Sequence, residues 1–400
     1  MAVKIVRQPN KIALLGAPTS AAAMSAGHEG APAALRSAGL IDRLRSAGYE
    51  VSDLGDDPAQ LYQPDEESPR ARNLPRIIAA LEALKPRVEQ AVKSTALPVI
   101  LSGDCSVALA TVAGTRRYFR NVSMIYLDRD ADLNTPATTP SGCVDGMVVS
   151  HLTGTGAAEM VRFWGEPPLV REPDLALFGV ARLDPGEEQL LGKSPLRCFH
   201  AADVQRMGAA AAAQAAVERI HANGYEFILH FDVDVIADFQ ATNYPGTGGL
   251  SLEDVRQALE VFVTQKHLAA IEVAAYNPTK DADGRAAKLI VDLLTEVLAK
   301  RLEILKSTQT ASAQVAASAE PAPASASGTA SLEKEVPAAE QSDEQQSHAH
   351  AAVAPPPVAA GDAWSSDSLE IESASDPENP ESDPHELSGE SSGEQEESSS

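Results

Sequence analysis

Three short stretches of the chain concentrate carboxylates at a spacing suited to holding divalent cations. The first is Leu101-Ser102-Gly103-Asp104-Cys105-Ser106. The second is Leu127-Asp128-Arg129-Asp130-Ala131-Asp132-Leu133-Asn134, and the third is Phe231-Asp232-Val233-Asp234. Each follows an apolar run that reads as a strand. Alternate residues of an extended chain share a face. Asp128, Asp130 and Asp132 therefore converge if the backbone stays extended, as do Asp232 and Asp234. Acids gathered at one rim repel one another, and a buried charge needs a partner. Two divalent cations meet that need, with carboxylates bridging them and a water activated between them. The competing arrangements are neutralisation by arginine or lysine, and use of a single Asp-x-Asp as a helix cap or turn. Three clusters in one chain favour the cation cage.

The elements that must position these acids alternate along the chain. Strands are expected at Lys11–Leu15, Glu50–Leu54, Leu97–Leu101, Val122–Leu127, Leu175–Val180, Glu226–Val233 and Leu268–Val273. Helical spacing predicts helices at Ala31–Ala47, Ile77–Ser94, Ser106–Phe119, Ala201–Asn223, Leu252–Thr264 and Asp281–Leu305. This alternation predicts an α/β fold with a mainly parallel sheet covered by helices on both faces. Such strands are buried on both sides and read as continuous apolar runs. Ligands bind beyond the carboxyl ends of the strands, where all three acidic clusters fall.

Charge divides the chain. The whole carries 57 acidic and 32 basic residues, a formal net charge of -25. From Ser307 onward there are 19 acidic residues and one basic residue, Lys334, so residues 1–306 hold 38 and 31. The near-balanced body argues against nucleic-acid binding, which uses basic patches. Residues 307–400 are rich in Ser, Ala, Pro and Glu, have no apolar periodicity and read as a disordered acidic tail. A short interaction motif at Trp364–Ile371 is the alternative use of that segment. Three cysteines, Cys105, Cys143 and Cys198, match no disulfide framework or zinc ribbon, and a reducing compartment fits them. The chain has neither a signal-peptide run nor a membrane-length apolar run, so a cytoplasmic location off the membrane is expected.

The three clusters resemble signatures of the arginase and agmatinase (ureohydrolase) family. Gly103-Asp104-Cys105-Ser106 is similar to its Gly-Asp-His-Ser. The stretch Asp128-Arg129-Asp130-Ala131-Asp132-Leu133-Asn134-Thr135-Pro136 resembles its Asp-Ala-His-x-Asp-x-Asn-x-Pro. His230-Phe231-Asp232-Val233-Asp234 resembles its Ser-Phe-Asp-x-Asp. Gly30-Ala31-Pro32-Ala33-Ala34-Leu35-Arg36, Asp53-Leu54-Gly55, the loop Pro245–Leu250 and Tyr276-Asn277-Pro278 also match, so the likeness spans Ile12–Leu305. It implies a three-layer α/β/α domain over residues 1–306, a homotrimer or homohexamer, and two Mn²⁺ ions. It also implies hydrolysis of a C–N bond in a linear amidine, guanidino or related amide by water that the metals activate.

Carried over position by position, the resemblance implies Cys105, Asp128, Asp130, Asp132, Asp232 and Asp234 as metal ligands, with Asp128 and Asp232 bridging. Cys105 and Asp130 stand where the family has histidine. If both ionise, six negative charges replace four, which is costly at low dielectric; Arg129 offsets part of it. Oxygen donors suit Mn²⁺ or Mg²⁺, whereas a thiolate draws the site toward Zn²⁺ or Fe²⁺. The alternative for Cys105 is a small buried apolar side chain outside the ligand set. Ser141-Gly142-Cys143-Val144-Asp145-Gly146 resembles the family's Ser-Gly-Asn-x-His-Gly loop. Asp145 stands in place of its proton-shuttling histidine, which makes Asp145, with Asp130, the expected catalytic pair. Asn134, Ser141, Cys143 and Asp184 fall at positions that hold the small-molecule substrate. Ala275 replaces the family glutamate that grips guanidinium. His230 is a candidate ligand or outer partner of the Asp232 cluster, His151 a substitute proton carrier, and His28 a rim residue. The alternative function is an arginase-like protein without catalysis, acting as a binding or regulatory partner.

Overall fold

Apolar runs flanked by glycines and acids become the strands of one sheet in the computed structural model, which describes residue 5 and residues 7–318. The strands are β1 (Lys11–Ala17), β2 (Glu50–Asp56), β3 (Leu97–Ser102), β4 (Val122–Leu127), β5 (Leu175–Val180), β6 (Arg197–His200), β7 (Glu226–Asp232) and β8 (Leu268–Ala274). Their order is β2-β1-β3-β8-β7-β4-β5-β6, and every neighbouring pair is parallel.

The helices are α1 (Ala31–Ser37), α2 (Leu40–Ser46), α3 (Leu74–Lys93), α4 (Val107–Thr115), α5 (Val148–Thr153), α6 (Ala158–Phe163), α7 (Pro185–Leu191), α8 (Ala201–Met207), α9 (Ala209–His221), α10 (Leu252–Val263) and α11 (Arg285–Ser318). Period-two alternation sends Leu14, Leu127 and Phe231 into one core with α1, α2 and α8 to α11. Leu15, Ile100 and Tyr126 enter the other core with α3 to α6. The three-layer α/β/α architecture follows directly. α3 illustrates the packing: Ile77, Leu81, Leu84 and Val88 recur at three- and four-residue spacing and are all buried. Truncating one of them to alanine costs about 2–5 kcal/mol. Ser251 caps α10 by accepting the amide of Asp254 at 3.0 Å.

Several expectations change in detail. The helix expected over Ala31–Ala47 is two helices, broken where Gly39 adopts φ 90°. The one expected over Ala201–Asn223 breaks at Gly208, with φ 83°. Both conformations are left-handed, where glycine alone carries no Cβ penalty. β6 had no apolar run to announce it, because Arg-Cys-Phe-His buries little more than Phe199 at the sheet edge. α11 continues to Ser318, beyond the expected end at Leu305, since alanine-rich Ser307–Ser318 tolerates helix well. The rest of the tail, with Trp364–Ile371, lies outside the described residues, as does the second unit, Ala324–Ser400. Among the described residues no helix is long and apolar enough to cross a membrane.

The conserved-looking N-terminal matches turn out to be structural fasteners. Arg36 of α1 holds Asp53 of β2 in a two-pronged contact, Nε to Oδ2 at 3.1 Å and Nη2 to Oδ1 at 3.0 Å. Planar bidentate pairing of this kind fixes orientation as well as distance.

Candidate metal centre

Three of the four central strands, β3, β7 and β4, deliver the three acidic clusters to one place. Glycine makes the first arrival possible. A Cβ on Gly103 would lie 1.9 Å from the carbonyl oxygen of Thr19, so only glycine lets this turn pack against the loop after β1. Asp104 then locks the turn. It accepts from Thr19 Oγ1 at 3.0 Å, from the Ala22 amide at 3.1 Å and from Ser106 Oγ at 2.5 Å. Its carboxylate is committed to the fold, and Cys105 faces the cavity.

That cavity, about 260 Å³, collects eleven of the site residues expected from sequence: Cys105, Asp128, Asp130, Asp132, Asn134, Ser141, Cys143, Asp145, Asp184, Asp232 and Asp234. Two sets of donor atoms lie within 4.8 Å of one another: Cys105, Asp128, His230 and Asp232 in one, and Asp128, Asp130 and Asp234 in the other. Asp132 lines the same cavity but joins neither set. It sits at φ 48°, and the hydroxyl of Tyr126 donates to its Oδ2.

The two sets differ in what neutralises them. Arg129 Nη2 lies 3.1 Å from Asp130 Oδ2 and 3.2 Å from Asp234 Oδ2, and it also donates to the Tyr244 carbonyl at 2.7 Å. Arg182 Nε reaches Asp130 Oδ1 at 2.5 Å. Two carboxylates therefore meet two guanidinium groups in this outer half. Burial pushes Asp234 up to about 6, with Arg129 pulling the other way. Asp234 and Asp130 together hold Arg129 above its ordinary value against the effect of burial.

In the inner half, no arginine or lysine among the described residues pairs with Asp128, Asp132 or Asp232. Burial first, and repulsion from neighbouring acids second, pushes all three well above the ordinary carboxylate range. Burial and the nearby Asp145 and Asp232 likewise push the Cys105 thiol well up, and its Sγ donates to Asp232 Oδ2 at 3.0 Å. Backbone amides order the acids: that of Asp130 donates to Asp128 Oδ1 and that of Asp234 to Asp232 Oδ1, each at 2.8 Å.

A polar row runs beneath this half. Cross-strand register places Tyr126 beside His230 and His230 beside Glu272. His230 Nδ1 lies 3.2 Å from Glu272 Oε1, and Thr111 Oγ1 donates to Glu272 Oε2 at 2.7 Å. The Tyr126 ring stacks on the imidazole, centroids 4.2 Å apart and 11° from parallel. His230 Nε2 is buried and has no partner among the described residues.

Asp145 stands at the other side of the cavity. It accepts the Cys105 amide at 2.7 Å and the Tyr244 hydroxyl at 2.7 Å. Burial, then the nearby Asp104 charge, pushes it up to about 7. At the mouth, Asn134 Nδ2 donates to Asp184 Oδ2 at 2.8 Å. Asp184 also occupies the N-cap of α7, so it serves as a turn residue and as a cavity wall. Glu187 accepts the amides of Asp184 and Leu133 at 2.8 and 2.9 Å and ties the two walls together.

Sequence reasoning missed Arg182, Glu187, Asn243 and Tyr244, all of which line the cavity. Arg182 had a readable signal, since it lies two residues beyond β5 at the same sheet rim. Tyr244 had none, because its reach to Asp145 depends on the path of a loop. His28 lies under the rim, its Nε2 accepting the Asn243 amide at 3.1 Å, and burial holds it down at about 3. His151 is buried away from the cavity lining, and burial lowers it to about 4 against the opposing effect of the Met147 backbone. The structure therefore does not bring His151 to the site as a proton carrier. Ala275 is fully buried at φ 65° and offers no carboxylate where the family pattern has one.

Comparison with known proteins agrees with this architecture. The family model described as Arginase family matches residues 10–299. The arginase of Bacillus subtilis (strain 168) is 29% identical over 294 residues, covering 73% of this chain and 98% of that protein. Among solved structures, the native arginase of Bacillus caldovelox aligns with a TM-score of 0.66 at 27% identity, covering 72% of this chain and 98% of that one. The Bacillus subtilis arginase structure gives 0.65 at 28% identity with the same coverage.

Proposed function

The chain belongs to the arginase family, and from that premise we propose that it is a metal-dependent hydrolase of a non-peptide C–N bond in a small linear amidine, guanidino or related amide compound. The observation that carries this reading is the gathering of eleven expected site residues around one cavity whose inner acids have no counter-ion among the described residues. A divalent cation held there supplies Lewis-acid polarisation of the substrate and lowers the pKa of a water. The two-manganese expectation fits only part of the site, because Arg129 and Arg182 already engage the acids of the second position.

The chain's own residues supply the rest. An acidic cavity favours a cationic substrate by Coulomb attraction at low dielectric. Asn134, Asp184 and Ser141 present hydrogen-bonding groups for the polar end of the molecule. Asp145, fixed by the Cys105 amide and the Tyr244 hydroxyl, is placed to protonate the leaving amine, and a value near 7 suits a general acid at neutral pH. With Ala275 in place of a guanidinium-gripping glutamate, arginine itself is not the substrate we favour.

The test is a screen of guanidino, amidine and amide compounds with Mn²⁺, Zn²⁺ and Fe²⁺, scored for urea or ammonia. Release with at least one pair is expected. Well-folded protein that is silent with every pair would overturn the reading. It would leave the second one, an arginase-like protein without catalysis that serves as a binding or regulatory partner, which the arginine pairing of Asp130 and Asp234 favours.

A further inference from the structure

We propose that the inner half of the cavity is a single-ion site for a divalent cation of the zinc or iron(II) class, held by Cys105 Sγ, Asp128, Asp232 and His230 Nε2. The proposal rests on reading this cavity as a metal site, not on turnover.

One ligand atom from each of these four buried residues lies within 4.8 Å of the others. His230 is the decisive member. Its position is serine in the family pattern, so no family ligand role maps onto it. Its Nδ1 faces Glu272, an acceptor when ionised, at 3.2 Å, which places the ring proton on Nδ1 and leaves the Nε2 lone pair free. A carboxylate behind an imidazole is the usual way a metal-binding histidine is oriented and made more basic. Thr111 fixes Glu272 from one side, and the Tyr126 ring fixes the plane of the imidazole. An imidazole nitrogen at 0% exposure with no hydrogen-bond partner is otherwise hard to account for.

The chemistry of the set selects the ion. One sulfur, one nitrogen and two carboxylate oxygens suit tetrahedral Zn²⁺ or Fe²⁺ better than Mn²⁺, which favours oxygen-rich octahedral shells. A second ion is excluded by a fixed one: the Arg129 guanidinium spans Asp130 and Asp234 at 3.1 and 3.2 Å. Four protein donors close a tetrahedral shell, so hydrolysis at this ion needs a fifth position opening on the cavity. Uptake and turnover must therefore be measured separately.

The experiment is metal analysis of the full-length protein after equilibration with equimolar Zn²⁺, Fe²⁺ and Mn²⁺ under anaerobic conditions, followed by Co²⁺ substitution. Close to one equivalent of zinc or iron is expected. The Co²⁺ form should show a thiolate-to-cobalt charge-transfer band, absent in Cys105→Ser. His230→Gln should weaken Zn²⁺ binding at least tenfold and Glu272→Gln by about tenfold, while Asp130→Asn leaves stoichiometry at one. Circular dichroism checks that each variant is folded, and the wild-type cobalt spectrum stands whether or not a variant folds. Two equivalents of manganese without a thiolate band would overturn the proposal, and so would protein that retains no metal. One equivalent of zinc with no turnover sustains this site while removing the hydrolase reading; two of manganese with turnover does the reverse.

Discussion

The outer and inner halves of the cavity are built from the same kind of residue and reach opposite electrostatic solutions. Outside, Asp130 and Asp234 meet Arg129 and Arg182, and the chain supplies its own positive charge. Inside, Asp128, Asp132 and Asp232 crowd together with a thiol and an imidazole edge, and no arginine or lysine among the described residues pairs with them. The sequence posed these as alternatives, an ion cage or neutralisation by arginine. The structure shows neutralisation at Asp130 and Asp234 and leaves the inner acids with no cationic partner among the described residues. Acid-rich motifs at strand ends therefore do not by themselves count ions, because the count depends on which positive groups share the rim.

The comparison breaks most visibly at Asp232. Replacing it with alanine should abolish metal retention and lower any hydrolytic rate by at least about 10³-fold, since cation and polarisation are lost together; metal analysis and urea release measure both. Retained metal would mean that the inner half is not the cage.

Arg129→Met probes the outer half. It leaves Asp130 and Asp234 buried without their main partner and should cost about 3–5 kcal/mol in urea unfolding. Excess divalent cation should restore part of this and raise stoichiometry by one. A variant as stable as the parent would show that the pairing is not what neutralises this half.

Acid titration separates the halves more gently. In metal-free protein, Asp128, Asp132 and Asp232 are raised far above the unfolded value of 3.8. Their protonated native form is favoured, so the stabilisation is lost as pH rises through the folded values. Between those folded values and 3.8, acidification should thus raise metal-free stability, by about 1.4 kcal/mol per pH unit for each extra proton the native state holds. Loaded protein should show the opposite slope, because protons compete with the ion. Below about 6.5 two histidines work against this trend and flatten it. Unfolded histidines take up protons that His28, held at about 3, and His151, held at about 4, refuse. Denaturant midpoints across pH, with and without metal, test the sign.

The smallest effect is expected at the mouth. Asp184→Ala removes the acceptor for Asn134 and the first residue capping α7. A loss of about 1 kcal/mol and a rise in KM with little change in kcat should follow. A kcat effect larger than the KM effect would place Asp184 in the chemistry.

Much of this arrangement was legible beforehand, for identifiable reasons. Strands buried on both faces announce themselves as unbroken apolar runs, which is why β3, β4 and β7 and the acids at their ends could be located. His230 was singled out because it directly precedes the Asp232 cluster. What escaped notice depends on contacts between distant segments. Tyr244 reaches the cavity from a loop whose course local sequence does not specify, whereas Arg182, two residues beyond β5, was readable and overlooked. Gly39 and Gly208 looked like tolerable residues inside helical patterns until their left-handed conformations made them breaks.

The guanidinium of Arg129 is a tethered counter-ion. No chelator can strip it, no competing metal can displace it, and no scarcity in the surroundings can withhold it. A chain whose family pattern asks for two exchangeable ions has written part of that positive charge into its own polypeptide.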